Sequence, residues 1–240
     1  MAELLFYKKP VPIDKNVHKN TRFVPVSNHG FAAETNSVPL AAVEFKEAGK
    51  EYPIIFIKTP AEKFVAVALV GIREKENLFI DENNKWDASY IPAYVRRYPF
   101  VLSTTPKENE MVICIDEEYV GFDNPAGEPL LQADGEPSHL LSETMKLVKE
   151  FHEHLQRTES FVKQLEEYGL LKNLNATVGP PGREAKLTGF SVVDEKKLLQ
   201  LDDEKILKLF KSGQLGLIYF HMASLANLGR LGTRLAKKNP

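Results

Sequence analysis

Residues 52–70 read YPIIFIKTPAEKFVAVALV and contain two runs of the residue types that favour β-strands. The first run, residues 52–57, is rich in isoleucine and aromatic side chains. The second, residues 64–70, is apolar at successive positions, as in a strand buried on both faces. Pro60 and its polar neighbours predict a connecting turn. The stretch therefore predicts two strands of a mainly antiparallel sheet, the second of them central.

On either side of this stretch the chain continues to favour β-structure. Short apolar runs predict further strands at 77–80 and 111–116. Residues 1–50 contain four prolines and few periodic runs, which predicts an extended, partly irregular segment. Its aromatic and apolar side chains are too frequent for a free linker, so we expect the segment to wrap on the body of the protein.

Beyond residue 124 the apolar period changes to that of a helix. Apolar residues recur every three or four positions across 138–168, with Ser138 suited to the N-cap and Gly169 just past the end. Thr158 offers an alternative cap that would divide this stretch into two helices. The remaining patterns predict a strand at 187–193 and helices at 204–211 and 214–235.

Together these elements predict an α+β fold. A β-rich body with a mainly antiparallel sheet is expected over residues 1–135, followed by a helical portion over 136–240 with one returning strand. The two parts either form separate units or combine into one integrated domain.

Composition excludes several classes of function. The chain has 31 Lys and Arg against 33 Asp and Glu, a formal net charge of −2 that argues against nucleic acid as a partner. Cys114 is the only cysteine, which excludes an intramolecular disulfide and any site with several cysteine ligands. The apolar tract 215–228 is too short to span a bilayer, and the first ten residues lack the pattern of an export signal. A cytoplasmic location is predicted, with no prediction of oligomeric state.

Metal and cofactor chemistry are not indicated. His152 and His154 are two positions apart on a predicted helix, so their side chains point about 200° apart and cannot chelate one ion. Neither of the common glycine-rich phosphate-binding motifs is present. We therefore expect no metal and no cofactor.

His221 lies in the apolar run IYFHMASL and has two interpretations. It is either a buried histidine hydrogen-bonded to a carbonyl or hydroxyl, or a proton carrier on the polar lining of a cleft.

The densest group of aromatic and basic residues is WDASYIPAYVRRYPF at 86–100. Arginines beside aromatic rings form sites that bind a carboxylate or a peptide. If the segment is a strand, Arg96 and Arg97 point to opposite faces, one structural and one facing a cleft. The residues expected to bind a ligand are Trp86, Tyr90, Tyr94, Arg96, Arg97 and His221. The alternative is a domain interface in which an arginine pairs with a buried carboxylate.

The part of this segment that reads YIPAYVRRYPF, residues 90–100, resembles the bacterial SapC family. The resemblance extends through NSVP at 36–39, YPIIF at 52–56, CID at 114–116 and IYFHMASL at 218–225. The family pattern expects glycine two positions before Trp86, where this chain has Asn84, a residue that tolerates the left-handed conformation. The resemblance suggests Glu44 and Asp194 as carboxylates for the structural arginine, and it brings no established reaction.

Three functions remain open from the sequence. The first is a non-catalytic binding or accessory protein acting on a peptide, a protein terminus or a partner enzyme. The second is an enzyme with an unfamiliar site around Arg96, Arg97 and His221. The third is a surface-layer or envelope-associated structural component, which the name of the family suggests.

Overall fold

A computed structural model describes residues 5–104 and 111–238, and every strand pair in it is antiparallel. Residues 1–4, part of the stretch examined for an export signal, lie outside the described residues. The described residues contain ten strands: β1 (Pro10–Pro12), β2 (Arg22–Phe23), β3 (Ser37–Pro39), β4 (Ile54–Lys58), β5 (Phe64–Leu69), β6 (Phe100–Thr104), β7 (Met111–Asp116), β8 (Glu128–Pro129), β9 (Leu171–Val178) and β10 (Ala185–Val193).

These strands form three sheets. The largest has the order β3-β5-β4-β10-β9, the second β1-β7-β6, and the smallest pairs β2 with β8. The predicted hairpin of β4 and β5 is confirmed, with Ile55 opposite Val67 and β5 flanked on both sides. The large sheet combines strands from residues 37–69 with strands from residues 171–193. The α+β fold class is confirmed.

Seven helices surround the sheets in the described residues: α1 (Phe45–Ala48), α2 (Ala93–Arg96), α3 (His139–Glu167), α4 (Glu195–Leu198), α5 (Asp203–Lys211), α6 (Gln214–Ser224) and α7 (Asn227–Lys238). Ser138 caps α3 as predicted, accepting a hydrogen bond from the Leu141 amide, and Asp202 caps α5 in the same way. Helix α3 contacts both β5 and β6, so it joins the large sheet to the three-stranded sheet.

Thr158 does not divide the long helix. Its hydroxyl donates to the carbonyl of His154 one turn earlier, and it accepts a hydrogen bond from the amide of Ala42. Thr158 therefore fastens α3 to the turn that leads into α1.

Two predicted elements differ from the structure. Residues 77–80 form a turn, because the amides of Asn77 and Leu78 bond to Ala33 and Val70, which lie in different segments. The helix predicted at 214–235 is two helices, α6 and α7, separated at Leu225 and Ala226.

Helix α7 passes very close to the chain at Gly179, since a Cβ on Gly232 would lie 2.3 Å from the Gly179 amide nitrogen.

Candidate binding site

Trp86 and Tyr52 fix the start of the aromatic segment in the core. The Trp86 indole nitrogen donates to the Tyr52 hydroxyl over 2.8 Å, and the Tyr52 hydroxyl donates to the carbonyl of Tyr90. Burial raises the pKa of Tyr52 well above its ordinary value, so the phenol remains a neutral donor. Asn84 has the expected left-handed conformation, with φ of 57°.

Glu44 holds the middle of the segment. One oxygen of its buried carboxylate accepts hydrogen bonds from the Tyr90 hydroxyl and the Ala93 amide, both over 2.7 Å. The other oxygen accepts from the Ala41 amide over 3.0 Å. Burial and the Glu44 charge together raise the pKa of Tyr90. Glu44 is therefore saturated with donors and pairs with no arginine in the described chain.

Arg96 is the last residue of the short helix α2 and Arg97 is its C-cap, so the expected strand is wrong. The amides of Val95 and Arg96 bond to the carbonyl of Pro92, which begins α2, and Pro99 soon removes the backbone donor that a longer helix would require. Arg96 remains exposed, donates from Nε to the Ile91 carbonyl over 2.9 Å, and lies 5.9 Å from the centre of the Tyr90 ring.

Arg97, by contrast, is only 6% exposed. Its guanidinium lies among three aromatic rings, here called the aromatic cage, with centres 4.1 Å (Tyr94), 5.3 Å (Phe151) and 5.8 Å (Tyr7) away. No described carboxylate forms an ion pair with Arg97, and its Nε has no hydrogen-bond partner. The suggestion of Asp194 is also wrong, because that carboxylate pairs with Lys172. The cage stabilises the buried cation by cation–π attraction.

The N-terminal segment, residues 5–9, covers the cage. The Tyr94 hydroxyl donates to the Leu5 carbonyl over 3.3 Å, and the Phe6 ring contacts the rings of Tyr94 and Phe31. Phe6 has φ of 80°, a left-handed conformation that is strained for a bulky side chain. The segment therefore depends on strong anchors nearby.

Asp116 supplies the main anchor. Its fully buried carboxylate accepts hydrogen bonds from the amides of Lys8 and Lys9, over 3.1 and 2.9 Å, and from the Tyr98 hydroxyl over 3.1 Å. The Tyr7 hydroxyl adds a bond of 2.6 Å to the Phe100 carbonyl. Burial and the nearby Asp116 charge raise the pKa of Tyr98.

Replacing Asp116 with asparagine is expected to lower the free energy of unfolding by about 1–3 kcal/mol, because the amide nitrogen would meet donors that need an acceptor. Hydrogen exchange at residues 5–9 should accelerate as well. Denaturant unfolding and exchange by mass spectrometry measure both effects. The exposed Asp123 gives the control Asp123→Asn, expected to change stability by less than about 0.5 kcal/mol. Equal stability and exchange in the two variants would contradict the anchoring role.

Beside the covered cage lies a cleft of about 750 Å³, here called the aromatic cleft. Phe31 and Tyr98 stack face to face at its floor, with ring centres 4.0 Å apart and planes inclined by 18°. Phe6 and Tyr119 contribute further aromatic surface. Polar and charged side chains complete the lining: Lys8, Ser27, Asn28, Glu34, Glu118 and Asn124.

The six residues expected from sequence to bind a ligand do not line this cleft. The structure brings Tyr90 together with Arg96, and Tyr94 together with Arg97, while Trp86 lies in the core beside Tyr52. The cleft residues were missed because 24–34 and 118–124 read as irregular chain. The available signal was an aromatic residue beside a turn residue in each stretch, Phe31 after Gly30 and Phe122 after Gly121.

His221 lies elsewhere, between β4 and β10. Its Nδ1 bonds to the Ile54 carbonyl over 2.9 Å, and its Nε2 accepts from the Val193 amide over 3.0 Å. The ring is therefore the neutral tautomer that carries its proton on Nδ1. Burial lowers the pKa of His221 to about 4. These bonds are those of the buried-histidine interpretation, and within the described residues the ring nitrogens bond to Ile54 and Val193 rather than to Arg96 or Arg97.

Two further observations concern the described residues as a whole. Across residues 5–104 and 111–238, no three His, Cys, Asp or Glu side chains lie close enough together to hold a metal ion. Over the same ranges, no helix has both the length and the apolar character needed to cross a lipid bilayer.

The fold and this site define an α+β protein with an aromatic cleft beside a buried arginine. The model of the SapC family matches residues 13–231, most of the chain, and the protein belongs to that family. No curated protein and no solved structure matches it.

Proposed function

We propose that this SapC family protein is a non-catalytic binding protein that takes a peptide segment or terminus of a partner protein into the aromatic cleft. The cleft itself carries the proposal: it is concave, and its volume of about 750 Å³ lies within the range of ligand sites. The half-buried rings of Phe6, Phe31 and Tyr119 offer an apolar contact area that loses little conformational entropy on binding, which is why aromatic residues dominate protein-binding hot spots.

The rim favours a peptide. Ser27, Asn28 and Asn124 provide donors and acceptors for a peptide backbone, and the exposed Lys8 is the one basic side chain of the lining. Glu34 and Glu118 are also exposed, which gives the lining one positive and two negative charges. This balance repels nucleic acid phosphates and suits a segment with an apolar or aromatic side chain next to a basic one.

The residues predicted from the sequence have supporting roles in this proposal. Tyr94 and Arg97 position Phe6, which forms one wall of the cleft, through the contact between the Phe6 and Tyr94 rings. Trp86 fixes the start of the aromatic segment 86–100 in the core. The exposed Arg96 lies over the ring of the half-buried Tyr90. His221 is not part of the proposed site.

Val120 gives the sharpest test, because it lines the cleft and is 92% exposed, so a substitution there leaves the core intact. Short peptides of random sequence displayed on phage are first selected on the wild-type protein. Val120→Asp is expected to weaken binding of a selected peptide at least about tenfold, since it places a charge against the apolar part of the contact. Fluorescence anisotropy of the labelled peptide measures this change.

The matched control is Val17→Asp, at a valine that is 70% exposed and outside the cleft lining. It should bind the peptide like wild type, and both variants should melt like wild type. Failure of the wild-type protein to enrich any peptide, or equal binding by the two variants, would refute the cleft as the binding site. Amidating the C-terminus of the selected peptide then separates recognition of a terminus from recognition of an internal segment.

A further inference from the structure

Exposed apolar side chains concentrate in one stretch of the chain, residues 199–220, which includes the packed helices α5 and α6. Of the nine large apolar side chains that are well exposed in the described residues, five lie between residues 199 and 220. They are Leu199, Leu207, Phe210, Tyr219 and Phe220, with exposed fractions from 40% to 75%. A cluster of this kind on a folded protein marks a contact with another surface.

Helix α6 has an uncharged outer face. Gly216, Tyr219, Phe220 and Ala223 lie on one side of the helix at helical spacing and are exposed. The opposite side, with Ile218, is buried against the sheet. Residues 212–229 contain no Asp, Glu, Lys or Arg, so no charged side chain on this helix opposes contact with an apolar partner.

Helix α5 packs against α6, and its exposed charges differ in sign between its two ends. Asp203 and Glu204 are at its N-terminal end, and Lys208 and Lys211 at its C-terminal end. These four side chains form no ion pair with a described residue, whereas Lys205 pairs with the N-cap Asp202. Glu204, Leu207, Lys208 and Lys211 recur every three or four residues and line one shallow depression.

We propose that α5 and α6 form a two-fold interface with a second copy of this chain, in which the two α5 helices run antiparallel. Reversing α5 against itself places Glu204 opposite Lys211 of the other copy, with Leu207 near the centre of the crossing. Each copy then supplies the same surface, which is the commonest form of a symmetric dimer. The apolar face of α6 extends the contact beside the crossing.

Charge favours a second copy over a lipid surface. From its N-cap onward, α5 has three acidic residues (Asp202, Asp203, Glu204) and three lysines (Lys205, Lys208, Lys211), a sum of zero. Interfacial helices that bind anionic lipids have a basic excess, which this helix lacks. Its acidic and basic ends instead complement each other when the helix is reversed.

Reciprocal charge exchange tests this arrangement in the full chain. Glu204→Lys and Lys211→Glu each place like charges opposite each other, so each is expected to raise the dimer dissociation constant at least about tenfold. The double variant restores opposite charges and should recover the wild-type constant. Within one helix these positions are about 10 Å apart, too far for direct contact, so recovery requires a second chain. Analytical ultracentrifugation over a concentration series measures the constant.

Glu143→Lys, on the exposed side of α3, makes the same change of charge as Glu204→Lys and, as the control, should leave the dimer unchanged. Phe220→Ser removes an exposed apolar side chain and changes no charge, so it should weaken the dimer through loss of the apolar contact alone. A wild-type protein that is monomeric at all concentrations, or a dimer in which the double variant is as weak as the single ones, would overturn the proposal. Co-sedimentation of a monomeric wild type with phosphatidylglycerol vesicles would reassign the face to a lipid surface.

Discussion

Replacing His221 with leucine is expected to lower the free energy of unfolding by about 3–5 kcal/mol, one of the two largest effects in this protein. The substitution removes the acceptor for the Val193 amide and the donor for the Ile54 carbonyl, and both backbone groups are buried. Each unsatisfied group costs about 1–3 kcal/mol, and leucine cannot replace either bond. Denaturant unfolding measures the loss.

The exposed His139 offers a matched control, because His139→Leu makes the same exchange at the start of α3 without a buried partner. That variant should lie within about 0.5 kcal/mol of wild type. An unfolding midpoint of His221→Leu close to that of His139→Leu would show that the two backbone groups find other partners.

His221 also makes stability depend on pH. Its pKa is about 4 in the folded protein, against about 6.5 in an unfolded chain. The unfolded state therefore binds more protons between these values, so the stabilisation is complete above pH of about 6.5 and is lost as pH falls toward 4. The loss across this window amounts to about 3 kcal/mol. The difference in stability between wild type and His221→Leu should shrink over the same window.

Glu44→Ala is the second variant with a large expected effect, again a loss of about 3–5 kcal/mol. It removes one buried carboxylate and leaves three donors without an acceptor: the amides of Ala41 and Ala93 and the hydroxyl of Tyr90. Glu44 also connects the turn before α1 to the segment that carries both arginines. Thermal and denaturant unfolding measure the change.

Glu47→Ala provides the control three residues away. Glu47 is exposed and pairs with Lys50 at the surface, and such pairs contribute less than about 1 kcal/mol. Tyr90→Phe should fall between the two, since it removes only one of the three donors. If Glu44→Ala unfolds at the same denaturant concentration as Glu47→Ala, the carboxylate does not hold the segment.

Local patterns in the sequence predicted the elements whose own residues determine them. The recurrence of apolar residues every three or four positions and the cap at Ser138 predicted α3 to within a residue, and the β-branched runs predicted β4, β5 and β7. Strand β9 was missed because its Lys and Asn side chains lie exposed at the edge of the sheet, without the apolar run of a central strand. Strand β6 was missed because its first residue, Phe100, was read as the end of the aromatic segment 86–100.

The site was less accessible from sequence because it depends on contacts between distant residues. The aromatic segment at 86–100 was expected to bind a ligand, yet of its residues only Tyr98 lines the cleft, and the loops at 24–34 and 118–124 supply most of the lining. The environment of Arg97 is also set by distant residues, since Tyr7 and Phe151 lie far from it in the chain. Neither the spacing of residues nor the composition of the sequence shows which distant loops come into contact.

The hydrogen-bond partners of β4 determine when the large sheet can form during synthesis. Its backbone at Ile54 bonds to the side chains of Ser224 and His221, and its free edge pairs with β10 at Ser191. On the ribosome, β4 and β5 emerge long before residues 191–224 exist. The nascent hairpin therefore presents an apolar strand edge until those residues follow, a state in which chains associate wrongly. The large sheet can close only after α6 has left the exit tunnel.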